Sequence, residues 1–177
     1  MKFADTNWLS SLYLEADQAD SEGWLRTHLA ERYMRKVDRP LIISHIVLLE
    51  ARNVFSRVTG EAEPKEWRKL LADFDGKLYV DTMNWHLLRR ECEDLFVRYS
   101  PKVSIGTLDV AILGSAKLAG CKVFLSFDNN LRALAFAEGL EIFPPVDGRV
   151  KALLAGFKSA AGKTSLLGQK SRKVTKK

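Results

Sequence analysis

Five short apolar runs, each closed by a turn or helix-start signal, limit most strongly what this chain can fold into. They are Lys2 to Asp5, Leu41-Ile42-Ile43, Lys77 to Val80, Lys122 to Ser126 and Glu141-Ile142-Phe143. Each is too short for a helix, and the stretches between them carry helical periodicity. Parallel strands need crossover connections, so this alternation predicts an α/β chain. The expected sheet is central and mostly parallel, with about four to five short strands covered by helices on both faces.

The helices are marked by their ends. One begins near Thr6 or Asn7, either a suitable N-cap, and a second covers roughly Asp20 to Lys36. Ser44 can cap the next, another starts near Pro64, and a fifth spans about Asn84 to Tyr99. Ser100-Pro101 breaks the chain, Ser104 is expected to open the following helix, and Gly120 to stop it. Asn129 to Glu138 forms a short helix ended by Gly139. No internal repeat is visible.

Four carboxylates interrupt these apolar patterns. Asp5 ends the first strand and Asp128 closes the run Phe124-Leu125-Ser126-Phe127. Glu50 shares a helical stripe with Val47, Val54 and Val58, and Asp109 shares one with Ile105, Ile112 and Ala116. Each has an ordinary reading alone: Asp5 and Asp128 as helix caps, Glu50 as an ion-pair partner of Arg52 or Arg57, Asp109 as a solvated edge. Ligands of open parallel sheets sit at strand carboxyl ends, so two acids there and two on covering helices could meet over one crevice. Dehydrating one unpaired carboxylate costs several kcal/mol, so a converging set calls for a cation.

In this order the residues resemble the PIN-domain ribonucleases, most closely the VapC-type toxins of type II toxin-antitoxin systems. The resemblance covers about residues 1–146. It rests on Asp5-Thr6-Asn7 after a strand, the helix holding Glu50, the segment Ser104 to Ile112, and Leu125-Ser126-Phe127-Asp128 followed by Leu131, Ala133, Leu134 and Ala135. It implies a three-layer α/β/α sandwich and an endoribonuclease using one or two Mg²⁺ or Mn²⁺ ions. The metal and catalytic residues so implied are Asp5, Glu50, Asp109 and Asp128, with Thr6 and Ser126 as supporting hydroxyls. RNA is the implied substrate and an antitoxin the implied partner. Many relatives dimerise, and the helices between residues 8 and 34 could supply such a surface. Hard oxygen donors without a Cys/His cluster agree with Mg²⁺ or Mn²⁺ and not zinc.

The charge is unevenly spread. Residues 1–150 hold 20 Lys and Arg against all 22 Asp and Glu, a net −2, while residues 151–177 hold 8 basic and no acidic residues, a net +8. The positive balance of +6 thus belongs to the end of the chain. Residues 147–177 are expected to be a basic, flexible tail with one helical stretch, Val150 to Phe157. The tail is either merely solvated or an electrostatic arm for RNA. Cys92 and Cys121 read as reduced residues. With no secretory signal and no apolar run near the ~20 residues that span a bilayer, a cytoplasmic protein is expected.

Weaker signals carry little. His28, His45 and His86 have no ligand spacing. Gly162-Lys163-Thr164 lacks the first glycine and the preceding strand of a phosphate loop. Three alternatives remain: a housekeeping RNA-processing nuclease, a non-catalytic PIN-like binding module, and a haloacid-dehalogenase-like phosphatase. The last wants a second acid two residues after Asp5, where this chain has Asn7.

Overall fold

The computed structural model describes residues 1–15, 20–36 and 40–173, with side chains through residue 160. Its described elements run β1 (Lys2–Ala4), α1 (Thr6–Tyr13), α2 (Ser21–Met34), β2 (Leu41–Ser44), α3 (His45–Thr59), α4 (Lys65–Ala72) and β3 (Leu78–Asp81). They continue with α5 (Trp85–Tyr99), α6 (Thr107–Leu118), β4 (Val123–Leu125), α7 (Asn129–Ala137), β5 (Glu141–Phe143) and α8 (Gly148–Lys173). The five strands form one sheet in the order β3-β2-β1-β4-β5, and every pairing is parallel. The α/β sandwich expected from the alternation is the fold observed.

Right-handed crossovers send β1→β2→β3 one way across the sheet and β3→β4→β5 back. Helices α1 to α4 therefore cover one face and α5 to α7 the other, as their packing shows: α1 touches α2, α3 and α4, while α5 packs on α6. The crossover leaving β1 and the one leaving β4 diverge, so the gap between these neighbours is a topological switch point. That is where Asp5 and Asp128 lie.

Strand residues on both faces are buried, among them Phe3, Ala4, Leu41, Ile43, Phe124 and Leu125. Phe3 stacks on Phe124 across the β1–β4 pair. Trp8 anchors the centre: it stacks on Phe127 at 5.0 Å and meets Tyr33 and Phe143 edge-on. Gly120 and Gly139 end their helices with positive φ, the conformation a side chain disfavours.

Helix α8 takes in the helical stretch expected from Val150 to Phe157 and is capped by Asp147, whose carboxylate accepts from the Val150 N–H at 2.9 Å. Val150, Leu154, Phe157 and Ala160 are buried where α8 packs on α5 and α7, and Phe157 meets Tyr99 edge-on. Spacings of three and four put these four apolar side chains on one face of α8. The last four residues of the tail lie outside the described part.

Helix α6 starts at Thr107 with Gly106 as its cap residue, so Ser104 does not open it. The buried stripe of α3 is Val47, Ala51 and Phe55, whereas Val58 is 61% exposed. Glu50 therefore borders the buried stripe and does not lie in it. Among the described residues, no helix is long and apolar enough to cross a membrane.

Candidate active site

Asp5 and Asp128 reach the same place by the same local device. Asp5 caps α1, its Oδ1 accepting from the Trp8 N–H at 2.8 Å, and Asp128 caps α7, its Oδ1 accepting from the Leu131 N–H at 2.7 Å. Ser126 ties the two turns together. Its hydroxyl donates to Asp5 Oδ2 at 2.6 Å and accepts from the Asp128 N–H at 2.9 Å. Behind them, the Trp8–Phe127 stack fixes the residues on either side of the crevice.

Glu50 comes from α3 and is held by its neighbour in the crevice: the Thr6 hydroxyl donates to Glu50 Oε2. Asp109 lies in the first turn of α6, half-buried, and its carboxylate is hydrogen-bonded by the Gly106 backbone. That contact ties the third helical residue back to the cap, which is half of a capping box.

The four acids share one field. Asp5 is 2% exposed. Burial pushes its carboxyl from 3.8 up to about 7, against the lowering by the Ser126 and Trp8 hydrogen bonds, and Asp128 and Glu50 repel it further. Asp109 is likewise raised, first by burial, then by repulsion from Asp128 and Glu50, with the Gly106 hydrogen bond opposing. Side chains from the turn after β1, from α3, from α6 and from the turn after β4 are thus electrostatically coupled. Thr6, 7% exposed, and Ser126, fully buried, lie among them.

As a donor set this fits a hard divalent cation, since every candidate is an oxygen and the acids repel one another without one. In the conformation seen, no three acidic, histidine or cysteine side chains among the described residues converge closely enough to hold an ion. Two residues were not legible as part of the site. Gly106 is one: a Cβ there would stand 2.6 Å from Asp109 Oδ2. A glycine three residues before a helix-borne acid was the available signal. Phe127 is the other, and its only signal was its place between Ser126 and Asp128. His28 stacks on the exposed Trp24.

A family model for the PIN domain matches residues 2–137. The chain belongs to the PIN domain family. In fold it is similar to VapC20 of Mycobacterium tuberculosis, a sarcin-ricin loop cleaving toxin. The TM-score is 0.60 at 18% identity, covering 75% of this chain and 94% of that one. PAE2754 of Pyrobaculum aerophilum superposes with a TM-score of 0.46 at 16% identity, over 89% of this chain and 95% of that one. No curated protein matches the chain.

Proposed function

We propose that this PIN domain is a divalent-metal-dependent endoribonuclease and acts as the toxin of a toxin-antitoxin pair. One observation carries the reading: four carboxylates from four separate elements repel one another at the switch point of a PIN-family sheet. A module that only bound RNA would gain nothing from concentrating negative charge there. The toxin part rests on the likeness in fold to VapC20, a toxin that cleaves an RNA loop.

Asp5, Asp109 and Asp128 would hold Mg²⁺ or Mn²⁺, with Glu50 as a further ligand or as the group positioning water. Such an ion supplies charge stabilisation at the phosphate and a more acidic water. The protein's own contribution is orientation. Helix caps fix one oxygen each of Asp5 and Asp128, Ser126 fixes the second oxygen of Asp5, and Thr6 fixes Glu50. In the apo state the raised Asp5 carboxyl keeps its proton up to about pH 7, so ion binding near neutrality would release one.

The test is cleavage of a panel of structured RNAs with Mg²⁺ or Mn²⁺, with EDTA, and beside Asp5→Asn. Cutting that needs the metal and is lost in the variant is the expected result. An Asp5→Asn protein that cleaves normally, or folded wild type that cuts nothing under any condition, refutes it.

A further inference from the structure

A cleft of about 430 Å³ opens between α2 and the beginnings of α7 and α8. Phe127 and Asn129 both line it. Asp128 stands between them in the chain, its Cα one step, about 3.8 Å, from that of each of these two lining residues. Pro144, the residue after β5, also lines the cleft, which therefore lies toward the β5 edge of the sheet.

One wall is fixed. Arg132, 3% exposed, donates to Asn129 Oδ1 at 3.0 Å and Asp147 Oδ2 at 3.1 Å, and to the carbonyls of Pro144 and Pro145 at 2.8 and 2.7 Å. Asp147 is thereby committed to Arg132 and to capping α8, and does not neutralise the other cations. Those are Arg26 and Arg149, which reach the cleft from α2 and α8. Glu22 bridges them, 2.6 Å from Arg26 and 3.8 Å from Arg149. Its side chain is 57% exposed and that of Arg149 75%, so these are solvated pairs of small worth that another anion can displace. Leu25 and Leu29 add apolar surface between the charged groups.

We propose that this cleft binds the nucleotide adjoining the scissile phosphate. Its base would lie against Leu25 and Leu29, and its phosphate on Arg26 and Arg149 in place of Glu22. The proposal rests on the nuclease reading of the neighbouring acids. The volume falls within the range of sites that enclose small ligands. The charges also answer a need of that reading: an RNA strand brought to four carboxylates is repelled, and two arginines released from Glu22 offset this one nucleotide away. Glu22 acts as a built-in competitor for the phosphate.

Fluorescence anisotropy with 5′-fluorescein hexaribonucleotides, in EDTA so that nothing is cut, tests the cleft on the full chain. Arg149→Ala should weaken binding about tenfold, the loss of one charge-assisted contact. Leu25→Trp, at a half-exposed position, should fill the cleft and weaken binding comparably. Glu22→Gln should strengthen binding several-fold, an opposite sign that a merely structural role of these residues would not give. No binding by wild type, unchanged binding in all three folded variants, or weakening by Glu22→Gln overturns the proposal. RNA cleavage without this pattern refutes the cleft alone. The pattern without any cleavage in Mg²⁺ or Mn²⁺ refutes the nuclease reading and leaves a single-strand RNA site.

Discussion

Asp5→Asn should stabilise the metal-free protein, and the gain should grow as pH rises. Burial first, then Asp128 and Glu50, push the Asp5 carboxyl from 3.8 to about 7 in the folded state. With the folded value above the unfolded one, the folded state binds the proton more tightly. Stability is therefore fully present below about pH 3.8 and is lost as pH rises toward 7. The whole shift is worth about 4 kcal/mol at about 1.36 kcal/mol per unit, and about 3 kcal/mol of it falls between pH 5 and pH 8. This is a ceiling, because the half-buried Asp128 and Glu50 can turn toward water and relax the repulsion. Asparagine removes the charge while its Oδ1 can still accept from the Trp8 N–H, and its amide can donate to Ser126. In a chain of this size 3 kcal/mol corresponds to roughly 6–12 °C in Tm. Thermal unfolding in EDTA should show the variant ahead of wild type by a margin that widens from pH 5 to pH 8. Excess Mg²⁺ or Mn²⁺ should narrow the gap at pH 8 by stabilising wild type only. A variant less stable than wild type at pH 8, or a margin independent of pH, would refute the electrostatic account of the site.

Gly106→Ala should lower RNA cleavage at least about tenfold with little change in Tm, since its Cβ would displace the Asp109 carboxylate while its φ of −71° suits alanine. Equal activity would show that the position of Asp109 does not matter. Phe157→Ala should cost about 3–5 kcal/mol in urea unfolding, the usual loss for a buried aromatic, and a chain stopped after residue 160 should unfold like wild type. Glu138 accepts from Arg98, Lys117 and Tyr99. Glu138→Gln should therefore cost about 3 kcal/mol, near the low end for stripping one partner from a buried ion pair, since Arg98 and Lys117 keep some water. The loss should appear in unfolding curves and leave RNA cleavage unchanged at permissive temperature.

What was legible in the chain was local. Asp5 and Asp128 could be placed because a strand end is marked by its own apolar run, and the switch point is a property of strand order. Glu50 was harder, since period 3.6 admits two stripes on α3. Val47, Glu50, Val54 and Val58 looked the more apolar, yet Ala51 and Phe55 make the buried one, because a small side chain packs closely without announcing itself. In α8, excess charge hid a regular stripe of four core residues. The Arg26–Glu22–Arg149 bridge could not be read at all, because it joins segments more than a hundred residues apart. Capping a helix and serving the proposed centre are compatible roles for Asp5 and Asp128. Each gives Oδ1 to a helix cap, and the cap is what holds the rest of the carboxylate over the crevice. A strand end followed at once by a helix therefore needs no separate device to orient its acid: the hydrogen bond that starts the helix also fixes the carboxylate.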